Sequence, residues 1–169
     1  MLDKFKITCY SNNMKGFILF FLLFNIAYLQ ARTTLEQIKI NKPFISAQYA
    51  FELAKSINKA ADKYKVPANV LTAIAMLESS YVLNAVNISS NDYGLFQINM
   101  FNIKAYEFNI PLLLTDLDYS VDSGAIVFQW FYKRYKLDDA IKRYNCGTRN
   151  SCVDWEVAKK YLRLVNKYM

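Results

Sequence analysis

A chain of 169 residues favours one domain, and its 54% hydrophobic and 16% aromatic content excludes a largely disordered chain. Lys and Arg outnumber Asp and Glu by 21 to 14, so the formal charge of +7 fits an anionic partner: nucleic acid, membrane surface or cell wall. No His is present, which excludes a Ser–His or Cys–His catalytic pair and any His-ligated metal site.

Residues 16–29 read GFILFFLLFNIAYL, apolar except for Gly16 and Asn25, with Lys15 beside them and Lys4 and Lys6 upstream. A basic flank, a short apolar stretch and then Leu29-Gln30-Ala31 match a secretory signal with Ala31 at the cleavage position. The stretch is short for a membrane span, which needs about 20 residues. Residues 1–31 are therefore expected to be a signal peptide or an uncleaved N-terminal anchor. Either way the remainder lies outside the cytoplasm, in the periplasm or cell envelope, with membrane contact only through this segment. Met14 is a second candidate start, and Cys9, on the wrong side of the apolar stretch for lipid attachment, is given no role.

Residues 32–45 read as a mixed, polar N-terminal arm, and residues 46–169 as the folded domain. Ser46 is a plausible N-cap for a helix whose inward face carries Ala47, Ala50, Phe51, Ala54, Ile57 and Ala61. Pro67 suits the first turn of a second helix bearing Val70, Leu71, Ile74, Ala75 and Leu77. Asn84 to Tyr93, rich in Asn and Ser, reads as a loop, with a short helix after Gly94. Ser120 to Tyr135 is a strong amphipathic helix, Asp138 to Arg143 a short one, Asn145 to Ser151 a loop. Val153 to Tyr168 closes the chain as a helix with Ala158, Leu162 and Val165 inward. Four Gly and three Pro leave little punctuation for many short strands, no alternating pattern persists, and the domain reads as all-α. No basic run interleaved with aromatics marks a nucleic-acid surface, so none is expected as partner.

Glu78 follows the apolar run VLTAIAML near a helix end. A carboxylate beside a core-facing helix is costly to bury ionised, and burial raises its pKa toward what a general acid near neutral pH requires. Position alone favours a solvated helix-end Glu beside Ser79 and Ser80. The neighbourhood carries more: Glu78-Ser79-Ser80-Tyr81, then Asn84-Ala85-Val86-Asn87, then Tyr93-Gly94-Leu95-Phe96-Gln97-Ile98-Asn99, and later Tyr144-Asn145-Cys146-Gly147. This order resembles the lysozyme-like domain of the soluble lytic transglycosylases, with their Glu-Ser, their Gly-Leu-Met-Gln-Ile about sixteen residues on, and their late Tyr-Asn-Ala-Gly. Phe96 stands where the family has Met. Asp116, Val121 and Gly124 match a further family stretch that opens a long helix, with Leu117 in place of Pro and Ser120 in place of Asn. The resemblance runs from about Ser46 to the C-terminus and implies a lysozyme-like (goose-type/SLT) helical domain.

It also implies a chemistry. In this family one Glu protonates the glycosidic oxygen between N-acetylmuramic acid and N-acetylglucosamine, then takes the proton of the muramoyl C6 hydroxyl. That hydroxyl attacks C1 and leaves a 1,6-anhydro end, so no second carboxylate is required, unlike in the two-carboxylate glycosidases. Glu78 is the residue in the catalytic position. The Gly94–Gln97 segment is expected to line the sugar cleft, with Gln97 hydrogen-bonding substrate. Tyr144 matches the Tyr whose hydroxyl holds the carboxylate, Asn145 sits beside it, and Asn87 replaces a Ser that donates a hydrogen bond. Asp92 is the nearest other acid and reads as a turn-forming residue. No cofactor or metal is implied.

Cys146 and Cys152, with five residues between them, read as a small-loop disulfide in an exported protein, two free thiols being the alternative. The Tyr-Asn-Cys-Gly…Cys variant resembles small specialised transglycosylases that accompany secretion, conjugation and pilus machines. The expectation is thus an exported peptidoglycan lytic transglycosylase that opens the wall locally for such a machine. Two other readings remain: a lysozyme-type hydrolase of the same fold, and a non-catalytic peptidoglycan-binding assembly subunit.

Overall fold

The computed structural model describes residues 33–169; the predicted signal or anchor, with Cys9, lies outside the described residues. Where the sequence predicts an arm, a helix α1 runs over 33–41. Only Leu35 and Ile38 supply apolar contact. The rest of its hold is polar: the Gln37 and Asn41 amides donate to the Tyr168 carbonyl at 2.6 and 2.9 Å. Such a tie to the far end of the chain leaves no local pattern to read.

Helix α2, Ala47–Tyr64, starts at Ser46, whose hydroxyl accepts from the Tyr49 N–H at 3.2 Å. Its buried stripe runs through Ala50, Leu53, Ala54, Ile57, Ala60 and Ala61, whereas Phe51, predicted inward, is 53% exposed. The stripe is turned toward Leu53 and Ala60. Helix α3, Ala68–Ser79, starts after Pro67 and buries an unbroken run from Val70 to Ala75. It ends in two residues with positive φ, Ser80 at 53° and Tyr81 at 62°. Two consecutive non-glycine residues there are costly, and such strain persists only where surrounding contacts fix it. Here the Tyr81 ring is buried and its carbonyl accepts from the Tyr49 hydroxyl at 3.0 Å.

The predicted loop beyond α3 carries two strands of a small antiparallel sheet, β1 (Val86–Asn87) and β2 (Asp92–Tyr93), and the third, β3 (Ile98–Asn99), lies in the stretch after Gly94 where only a short helix is predicted; the spatial order is β1-β2-β3. Val86 faces Tyr93, and Asp92 pairs with both Asn87 and Asn99. Strands of two residues are too short to show an alternating pattern. Helix α4, Met100–Tyr106, is capped by Asn99, and helix α5, Ile110–Thr115, by Asn109. Helix α5 falls where no element is predicted.

Helix α6, Leu117–Tyr132, begins three residues earlier than predicted, because the Asp116 carboxylate accepts from the Tyr119 N–H at 2.9 Å. Helix α7, Leu137–Cys146, runs a turn past its predicted end. A 3₁₀ turn, Asn150–Asp154, then leads into α8, Glu156–Tyr168. Helix α6 packs on α2 and α7, and α8 packs on α7 and α3. The shared core includes Leu53, Ile57, Leu71, Ile74, Leu95, Phe96, Phe128 and Ile141, all without solvent exposure. The all-α reading holds, and the sheet is an insertion beside the end of α3.

Candidate active site

Three helices meet the segment Gly94-Leu95-Phe96-Gln97 through its backbone. From the end of α3, the Ser79 hydroxyl donates to the Leu95 carbonyl at 2.8 Å. From α6, the Ser120 hydroxyl accepts from the Leu95 N–H at 3.3 Å. From α7, the Tyr144 hydroxyl donates to the Phe96 carbonyl at 2.9 Å. Gly94, at φ +79°, has no room for a side chain: a Cβ there would lie 2.6 Å from the Leu113 carbonyl oxygen. The segment is thus a fixed wall.

Glu78 stands on the last turn of α3, partly covered, one residue before Ser79. The Tyr161 hydroxyl of α8 donates to Glu78 Oε1 at 2.6 Å. Burial pushes the Glu78 carboxyl up to about 7; the Tyr161 hydrogen bond opposes this, and the nearby Asp92 charge adds to it. Burial, followed by the Glu78 charge, also holds the hydroxyls of Tyr144 and Tyr161 well above the ordinary phenol range. The result is one acid that takes up and releases a proton near neutrality, set among two hydroxyls that stay protonated.

The structure gives the carboxylate contact to Tyr161 and not, as the sequence predicts, to Tyr144. Tyr144 is close enough for its hydroxyl to feel the Glu78 charge, but its proton is committed to the Phe96 carbonyl. Tyr161 is missed because Leu162 is predicted inward; the buried stripe of α8 is Ala158, Tyr161 and Val165. That 3–4 spacing is legible, and a buried Tyr requires a partner for its hydroxyl. Gln97, at φ +46°, has its amide nitrogen tied to the carbonyls of Gly94 at 2.9 Å and Ala85 at 3.3 Å. Among the described residues no donor meets its Oε1, which remains available to a ligand hydroxyl. Asn87 is exposed on β1, its Oδ1 accepting from the Ser89 hydroxyl at 2.7 Å. Asn145 is exposed on the last turn of α7. Asp92, on β2, accepts from the Ser90 hydroxyl at 2.5 Å.

Cys146 and Cys152 form a disulfide that ties the end of α7 to the 3₁₀ turn before α8. It therefore ties the helix bearing Tyr144 to the turn that leads into the helix bearing Tyr161. Closing so short a loop is worth roughly 2 kcal/mol in the chain-entropy picture. Among the described residues no group of three or more Cys, Asp or Glu side chains could hold a metal ion.

Comparison with known proteins agrees with this fold. Among solved structures, the 70 kDa soluble lytic transglycosylase of Escherichia coli superposes with a TM-score of 0.61, covering 82% of this chain and 28% of that one, at 15% identity. An inactive mutant of the lytic transglycosylase Slt from Pseudomonas aeruginosa gives 0.54, covering 68% and 22%, again at 15% identity. Protein IpgF of Shigella flexneri is 34% identical over 98 residues, which cover 54% of this chain and 64% of IpgF. The IpgF of Shigella sonnei matches equally. The family model described as Transglycosylase SLT domain matches residues 55–162, from α2 to Leu162 beside Tyr161. The chain belongs to the transglycosylase SLT-domain family.

Proposed function

We propose that this chain is an exported lytic transglycosylase that cleaves the β-1,4 bond between N-acetylmuramic acid and N-acetylglucosamine in peptidoglycan. The observation that carries the reading is Glu78: a carboxyl pushed to about 7, held by Tyr161 and set beside the fixed Gly94–Gln97 wall. At neutral pH a large fraction of it is protonated and can donate to the glycosidic oxygen. The resulting carboxylate accepts the proton of the muramoyl C6 hydroxyl as that oxygen attacks C1, and Glu78 returns to its acid form. Gln97 and Asn87 offer hydrogen bonds to the sugars, and Asn145 lies beside Tyr144. The N-terminal segment supports export, and the Cys146–Cys152 variant of the Tyr-Asn-x-Gly motif supports local wall opening for an envelope-spanning machine.

One observation favours a second reading, a hydrolase of the same fold: the Asp92 charge reaches Glu78. Product mass separates the two. Digestion of purified peptidoglycan should yield anhydromuropeptides about 18 Da lighter than lysozyme products, because no water is added. Asp92→Asn should retain most activity. Reducible muramic ends as the main product, or inactivity of Asp92→Asn with the fold intact, would favour the hydrolase.

Tyr161→Phe tests the positioning of the carboxylate. The lost hydrogen bond favours the ionised form, so its removal raises the Glu78 pKa further. The alkaline limb of the kcat/KM profile, where the acid form is lost, should move to higher pH. The maximum should fall by roughly tenfold as the carboxyl loses its orientation. An unmoved alkaline limb would show that Tyr161 does not act on Glu78.

A further inference from the structure

Away from Glu78, an aromatic cavity of about 380 Å³ lies between α4, α6 and the loop after α7, lined by Phe101, Tyr106, Val127, Trp130, Phe131 and Thr148. A second cavity of about 240 Å³ shares Tyr106 and Trp130 and reaches Lys133 and Arg134. Phe101 is 77% exposed, an unusual setting for a large apolar side chain beside other aromatics. Neither cavity has an acidic residue in its lining.

Arg134 is fixed in place. Its guanidinium lies 4.2 Å above the Trp130 ring, and one arm donates to the Trp130 carbonyl at 2.7 Å. Among the described residues no carboxylate pairs with Arg134 or Lys133. A preplaced Arg with an unpaired Lys next to it, beside an apolar wall, is the chemistry of a site for a carboxylate-bearing ligand with apolar parts.

Two chain segments link the candidate active site to the cavity lining. Phe101 follows Gln97 by four residues, and Thr148 follows Tyr144 by four. The loop bearing Thr148 is held on one side by the disulfide and on the other by Arg143, whose Nη1 donates to the Arg149 carbonyl at 3.3 Å.

We propose that these two adjoining cavities, joined at Tyr106 and Trp130, bind the acidic stem peptide of the substrate, with Arg134 and Lys133 of the second holding its free carboxylates and Trp130 and Phe101 of the first covering its apolar parts. The inference rests on the peptidoglycan reading of the catalytic site. It gives the net positive charge of the chain a specific use, which is recognition of the anionic branch and not of the neutral sugar rings.

A titration that does not depend on turnover tests it. The full chain carrying Glu78→Gln is titrated with the free tripeptide L-Ala-γ-D-Glu-diaminopimelate and, separately, with a peptide-free sugar fragment of the strand, followed by NMR at the Trp130 indole and the Thr148 amide. Saturable shifts with the tripeptide, weakened about tenfold in an added Arg134→Ala, are expected. Silence at both positions overturns the proposal, as do shifts produced by the sugar alone, which would make the cavity a saccharide subsite. In the active chain, the ratio of kcat/KM on stem-bearing strands to that on amidase-stripped strands should fall about tenfold in Arg134→Ala. An unchanged ratio counts against the proposal. Failure of the wild type to cleave either strand would instead refute the catalytic reading, and the titration would still decide the peptide site.

Discussion

Replacing Glu78 by Gln should leave the fold intact, abolish wall lysis and raise thermal stability at alkaline pH. The amide matches the carboxyl in size and can still accept from the Tyr161 hydroxyl. It can neither give nor take the proton, and general acid–base catalysis is typically worth about 10² to 10⁴ in rate. The stability change has a definite sign. The Glu78 carboxyl is raised from its ordinary value of 4.5 to about 7 in the folded chain. Below pH 4.5 it is protonated in both states and costs nothing. Between 4.5 and 7 the unfolded chain releases the proton more readily, so the wild type loses stability as the pH rises. Above 7 the loss is complete, at most about 3 kcal/mol. Glu78→Gln has no such dependence. Melting curves of both proteins at pH 4 and pH 8 should therefore agree at the lower pH and separate at the higher, with the variant melting later. Equal melting at both values would show that Glu78 is not desolvated, and lysis at the wild-type rate would remove it from the mechanism.

Much of this arrangement is legible in the sequence, for reasons that can be named. The long helices announce themselves by apolar periodicity, and Ser46 and Asp116 cap them as their types require. Glu78 stands out because a carboxylate ends an apolar run, and the spacing to Gly94 and Tyr144 supplies the rest. The illegible parts depend on distant contacts. Helix α1 is held by amides of Gln37 and Asn41 on the last turn of the chain. The sheet around Asp92 consists of two-residue strands. The partner of Glu78 comes from position 161, where a turn of one residue in the assumed helix face exchanges Leu162 for Tyr161. The motif Tyr144 has a different job, to hold the Phe96 carbonyl and with it the wall of the site. Its spacing to Glu78 survives either way, so spacing alone cannot tell which hydroxyl touches the acid.

The same wall yields a second expected effect on stability. Gly124 lies inside α6, where exchange for Ala would ordinarily gain up to about 1 kcal/mol of helix propensity. Here the added methyl would sit 2.2 Å from Cγ of Phe96 and 2.5 Å from its Cδ1. The ring has no free volume to enter, since Phe96 is fully buried and its carbonyl is held by Tyr144 at 2.9 Å. Overpacking of this kind costs about 1 to 3 kcal/mol, and an overlap so deep belongs at the upper end, above the propensity gain. Gly124→Ala should therefore be destabilised by about 2 kcal/mol net, a fall of roughly 6 °C in Tm for a domain of this size. It should also lose lytic activity, because displacement of Phe96 moves the segment held at Leu95 by Ser79, the neighbour of Glu78. Phe96→Met supplies the control. Met is unbranched and flexible, so Phe96→Met alone should cost less than about 1.5 kcal/mol, and it leaves room for the methyl. The double variant should then be more stable than Gly124→Ala by itself, a coupling opposite in sign to simple addition. Additive losses would mean that the ring is not what excludes a side chain at position 124. A Gly124→Ala protein as stable as the wild type would mean that the wall yields and is not a fixed surface.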